Sequence, residues 1–180
     1  MLNLTKGQSL DLSKQAAKPV TKVRVGAGWD VAEGKTVDLD LWIIPVGGSP
    51  VYFNNRSIAG VTLDKDDQTG GSSKDGADEN VNIDVTALDK TEYSIVINIY
   101  DAVAKGQFFK DVSRAFIEVV DVETNTKLGE YAISENGGDN FTVVAGKLTK
   151  NADGGLVYTA DHQFSTKDIS TVVTELGGQA

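Results

Sequence analysis

Residues 37–43 read "VDLDLWI", and their alternation of apolar and polar side chains is that of a half-buried strand. Val37, Leu39, Leu41 and Ile43 fall on one face, and Asp38, Asp40 and Trp42 fall on the other. Just upstream, "GWDVAEGKT" (28–36) ends in Gly34-Lys35-Thr36 like a phosphate-binding loop. Such a loop needs a following helix whose N-terminus holds the phosphate, and here a strand follows. Gly28 also stands one residue too far from Gly34, and Val31 takes the place of the third glycine of a dinucleotide fingerprint. No nucleotide-binding site is therefore expected here.

The same period of two recurs outward from this stretch. In "KVRVGA" (22–27), Val23, Val25 and Ala27 share one face while Lys22 and Arg24 share the other. "VNIDV" (81–85) repeats the pattern with Val81, Ile83 and Val85. "YSIVINIY" (93–100) is apolar on both faces except at Asn98, which predicts a central strand covered on both sides. "LNLT", "SLDL", "VYFN", "AFIEVVDV", "GEYAI", "FTVVAGKL" and "LVYTA" add further strands, separated by Gly, Asn, Asp and Ser clusters. Helical spacing occurs clearly only near the C-terminus, where Ile169, Val172, Val173 and Leu176 follow Asp168 as a cap and precede Gly177 and Gly178. The expected fold is all-β, a two-sheet β-sandwich with a short C-terminal helix, in a single domain over residues 1–180.

With 180 residues and 40% hydrophobic content, the chain can bury one sizeable core. It contains no cysteine, which excludes disulfides, thiolate zinc sites and a cysteine nucleophile. Its single histidine, His162, lies near the end of a strand and is expected at the surface or in a turn. The formal charge of −9 repels a phosphate backbone, so no nucleic-acid partner is expected. The start, "MLNLTKGQSLDLSK", lacks the basic and apolar regions of a signal peptide, and no stretch approaches a membrane span. A cytoplasmic protein without membrane insertion is the expectation.

Charge is concentrated in "DKDDQTGGSSKDGADE" (64–79), where six acids and two lysines leave four net negative charges. Either water solvates this cluster or a cation neutralises it. Asp38 and Asp40, on one side of their strand, bring two more carboxylates towards it and favour the cation. Several oxygen donors on a Gly-rich loop suit calcium, whereas magnesium demands a tighter octahedron and zinc or copper prefers nitrogen and sulfur. The loop is no EF-hand: counted from Asp64, Thr69 replaces the required glycine, and strands replace the flanking helices. Nothing in the carboxylate spacing marks a glycoside hydrolase, so no enzymatic activity is expected.

A series of landmarks runs through the chain: "LTKGQSLDLSK", "VGAGWD" (25–30), "VDLD" (37–40), "YFNN" (52–55), "DDQTG" (66–70), "DENVNIDV" (78–85), "VINIYDA" (96–102) and "FKDVSRAFIEVVD" (109–121). In this order they resemble the TerD, or tellurium-resistance, domain family. The resemblance implies a calcium-binding β-sandwich that acts in resistance to tellurite and other chemical stress, without established catalysis. By position it implies one or two Ca2+ ions held by Asp30, Asp38, Asp40, Asp66, Asp67, Asp78 and Glu79. The loop departs from the family pattern by its greater length, by Lys74, and by Ala77 where an aspartate usually stands, with Asp75 as the substitute ligand. A calcium-ordered surface read by protein partners is the leading expectation. The alternative is a structural sandwich in a larger phage or secretion-associated assembly, with the acidic loop merely solvated.

Overall fold

The alternation at 37–43 becomes strand β4 (Leu39–Pro45) in the computed structural model, which describes residues 1–14, 18–32, 34–70, 76–133 and 137–179. All of β4 is buried, so its second face is not open to solvent as a simple alternation implies. Leu39, Leu41 and Ile43 enter the main core, while Trp42 and Ile44 pack with Val172 and Val173 of helix α2 (Ile169–Glu175). The helix is the reason for the difference, because its apolar stripe covers the outer face of the sheet.

Among the described residues the remaining strands are β1 (Leu2–Leu4), β2 (Ser9–Asp11), β3 (Lys22–Val31), β5 (Ser57–Ile58), β6 (Val61–Lys65), β7 (Glu79–Asp84), β8 (Glu92–Ile99), β9 (Val112–Asp121), β10 (Thr126–Ala132), β11 (Thr142–Lys150) and β12 (Leu156–Ser165). They form a seven-stranded sheet in the order β1-β10-β9-β3-β7-β6-β5 and a five-stranded sheet in the order β2-β12-β11-β8-β4. Side chains from both sheets share one core, including Val23, Val25, Ala27 and Trp29 of β3 facing Tyr93, Ile95, Ile97 and Ile99 of β8. Strand β8 runs between β11 and β4, with Val96 on its second face under α2, as its two-sided apolar run predicts. No helix is long and apolar enough to cross a membrane among the described residues.

Three local readings change. "VYFN" is a turn and not a strand: Tyr52 and Asn55 exchange backbone hydrogen bonds at 3.0 Å, and the Asn55 side-chain amide donates to the Pro50 carbonyl at 2.7 Å. The turn lays Tyr52 flat on Trp42, with ring centroids 3.9 Å apart. The β5–β6 hairpin has only a short apolar signal, and Lys65, which reads as part of the acidic loop, ends β6. His162 lies within β12, partly buried, where its Nδ1 meets the Tyr131 hydroxyl from the opposite sheet. Helix α2 starts where expected: Asp168 accepts from the Thr171 amide at 3.0 Å and from its hydroxyl at 2.9 Å. A short turn of helix, α1 (Ala102–Lys105), follows β8.

The glycines of "VGAGWD" are packing devices. Gly28 faces Phe116 across the β3–β9 ladder, and a Cβ there would fall 2.1 Å from the Phe116 ring. A Cβ on Gly26 would likewise fall 2.4 Å from the Ala77 Cβ. Gly28→Ala should destabilise the protein by about 1–3 kcal/mol through overpacking. Chemical denaturation should show part of that loss restored when Phe116→Leu is added, and strictly additive losses would refute the contact.

Candidate metal centre

The site starts where β7 begins. Asp78 and Glu79 are both buried, a placement that carboxylates tolerate only with strong partners. Asp78 donates its backbone N–H to the Ala27 carbonyl at 2.9 Å, and its Oδ2 accepts from the Trp29 amide at 2.8 Å. Glu79, one residue on, points the other way across the sandwich. Its Oε2 accepts from the Leu41 amide at 2.6 Å. Strand β4 is the edge of its sheet, so every second amide lacks a ladder partner, and the glutamate supplies one.

The loop entering from β6 is held by Asp67, two residues before Thr69. Asp67 Oδ1 accepts from the Thr69 amide at 2.9 Å, the Thr69 hydroxyl at 2.8 Å and the Gly70 amide at 3.2 Å. This turn presses Gly70, at φ +62°, against the Trp29 indole, where a Cβ would fall 1.9 Å from Nε1. The same indole donates to the Val37 carbonyl at 2.9 Å. Trp29 thus joins the acidic loop to the segment that carries Asp38 and Asp40.

The result is a convergence of charge. Asp40, Asp66 and Glu79 each place a carboxylate oxygen within 4.8 Å of the others. Asp38 lines the same cleft, about 280 Å³ in volume, with Asp40, Asp66, Gln68, Phe53, Tyr100 and Lys105. Glu79 is 1% exposed and Asp40 5% exposed. Asp38 Oδ1, Asp40 Oδ2 and Glu79 Oε1 are buried without a hydrogen-bond partner. Burial pushes the Glu79 carboxyl up to about 9: the Leu41 amide opposes the shift, and Asp66 and Asp40 add to it. Burial likewise raises Asp40 to about 7, with further upward pressure from the charges of Asp38 and Asp66, and it raises Asp38.

Of the residues that the sequence suggests as metal ligands, the fold brings Asp40, Asp66 and Glu79 together and places Asp38 beside Asp40 and Asp66 in the cleft. Asp67 and Asp78 are turned towards backbone amides and position the loop and β3. Asp30 lies opposite Arg114 on β9, 3.9 Å from its guanidinium. Asp75 lies outside the described residues. Lys105 is the charged lining residue that sequence reasoning misses, and its only signal is its place just after the central strand.

Carboxylate oxygens that converge with several of them lacking a hydrogen bond suit a hard divalent cation, and no histidine, cysteine or methionine lines the cleft among the described residues. The fold and this cleft define a β-sandwich with a cluster of acidic side chains at one sheet edge. The TerD domain family model matches residues 1–160, and the chain belongs to that family. It is 32% identical to the general stress protein 16U of Bacillus subtilis (strain 168) over 99% of this chain and 98% of that one. It is also 28% identical to the tellurium resistance protein TerD of Serratia marcescens, over 98% and 97%. The crystal structure of a homologue of telluride resistance protein from Streptomyces coelicolor A3(2) superposes with a TM-score of 0.69 at 18% identity, covering 89% of this chain and 99% of that one. That likeness establishes the shared sandwich.

The raised carboxyls make metal-free stability depend on pH. Groups whose folded pKa exceeds the unfolded value stabilise most below the unfolded pKa and lose that contribution as pH rises through the folded one. For Asp40 the window runs from 3.8 to about 7, and for Glu79 from 4.5 to about 9. Asp84 and Asp168, lowered to about 2, act in the opposite sense but lose their contribution only in acid below this range. The unfolding midpoint in chelator should therefore fall between pH 5 and pH 9, and Glu79→Gln should flatten the decline. A midpoint that rises over this range would contradict the assignment.

Proposed function

We propose that this chain is a calcium-binding module of a bacterial stress-response system, cytoplasmic and non-catalytic, which works by presenting a surface to a protein partner. The observation that carries the reading is the convergence of two buried carboxylate oxygens without a hydrogen bond, Asp40 Oδ2 and Glu79 Oε1, on the same point as Asp66. Leaving buried acceptors unpaired costs roughly 1–3 kcal/mol each, and more when they are charged. A bound divalent ion supplies positive charge and oxygen coordination at that point. Asp40, Asp66 and Glu79 would hold it, with Asp38 beside them.

The chain's own residues do the rest. Asp67 folds the 66–70 turn, Gly70 seats it on Trp29, and Glu79 clamps the edge of β4. Phe53 and the half-exposed Tyr100 border the cleft, so neutralising the acids would join these rings and the turn in one less charged face. The names of the relatives, a general stress protein and tellurium resistance proteins, support a stress role. Tellurium itself is a poor ligand for this site, because soft species favour thiolates and thioethers, and the chain has no cysteine and one methionine. An indirect contribution to resistance follows.

Titration calorimetry tests the reading. Calcium should bind the wild type, and Asp40→Asn or Glu79→Gln should each weaken binding by about tenfold or more, because calcium affinity follows the count of ligand charges. Calcium at a hundredfold excess over Kd should stabilise the wild type by about 2.7 kcal/mol. Equal affinity in all three proteins would refute the site.

A further inference from the structure

We propose that Lys105 is a tethered counter-ion of the acidic cleft, an internal competitor whose charge a divalent cation must overcome on binding. This inference rests on the cation reading of the cleft and adds what sets its affinity. Among the described residues that line the cleft, Lys105 carries the only positive charge, facing Asp38, Asp40 and Asp66. Its charge acts on both Asp38 and Asp40.

The backbone places it there. Tyr100, just past β8, donates its N–H to the Asp38 carbonyl at 2.8 Å, so the end of the central strand is joined to the first acid of the cleft. Asp101, in the left-handed region at φ 53°, then turns the chain into α1. Gly106, at φ +64°, closes the turn by donating to the carbonyls of Ala102 and Val103. The Gln107 side-chain amide fixes the exit by donating to the Thr36 carbonyl at 2.6 Å. Lys105 is the last residue of this short helix, so its position over the cleft is set by contacts on both sides.

The ammonium is held beside the carboxylates and not among them. It sits 4.8 Å from the centre of the Tyr100 ring, an arrangement in which the ring face attracts the cation. Among the described residues it is close to the acids but makes no direct ion pair. A lysine on a flexible stem can offset the negative charge when no divalent ion is present and swing away when one is. Its residual repulsion then lowers the affinity for that ion. Retained, Lys105 keeps the cleft from saturating at low calcium and makes occupancy responsive to concentration.

Calorimetric titration of calcium into wild type, Lys105→Gln and Lys105→Arg decides the matter, with thermal unfolding in chelator as a second readout. Removing one unit charge near a divalent ion in a partly solvated site should tighten binding by about tenfold. Lys105→Gln should therefore show a correspondingly lower Kd and a lower midpoint in chelator, and Lys105→Arg should stay close to wild type in both. Equal or weaker binding by Lys105→Gln, or tightening by Lys105→Arg as well, would overturn the counter-ion role while leaving the cation site intact. No binding by the wild type would overturn the cation reading and this inference together.

Discussion

The hydrogen bond from the Leu41 amide to Glu79 Oε2 is the interaction on which the centre depends. It joins the two sheets at the open edge of β4, and it commits a carboxylate to a place almost without water. One oxygen of Glu79 is satisfied by the amide and the other is not. A neutral acid can occupy that position below its raised pKa, and a carboxylate can occupy it only with a cation beside it. Fold stability and the proposed cation binding would thereby be coupled through a single side chain.

Around that bond the family's landmarks acquire separate physical tasks. Trp29 fills the core and gives its indole N–H to Val37. Asp78 holds the Trp29 amide, and Gly70 leaves room for the indole face. The "DDQTG" turn divides labour between adjacent acids: Asp67 spends one oxygen on three donors of its own turn, and Asp66 joins Asp40 and Glu79. Neighbouring residues of one type therefore serve different ends, loop geometry in one case and charge convergence in the other.

Much of this is legible in the sequence, because strand periodicity reports directly on which face is buried. The core residues of β3, β7 and β8, the cap at Asp168 and the shared side of Asp38 and Asp40 all follow from alternation and capping chemistry. Less legible is what depends on distant partners. The burial of Trp42 and Ile44 needs α2, which lies more than a hundred residues away. The turn at "VYFN" rests on hydrogen bonds of Tyr52, Asn55 and Pro50 and sets Tyr52 on Trp42, a partner outside the segment. The roles of Asp66 and Asp67 differ only through backbone geometry, which composition cannot express. Lys105 carries no motif at all, and its meaning comes from the joint between Tyr100 and Asp38.

The most direct test is a crystal structure of the protein grown with calcium and measured at a wavelength where calcium scatters anomalously. An anomalous peak coordinated by Asp40, Asp66 and Glu79, with Lys105 turned away from it, is expected. A peak elsewhere, for example beside Asp30, or none at saturating calcium, would contradict it.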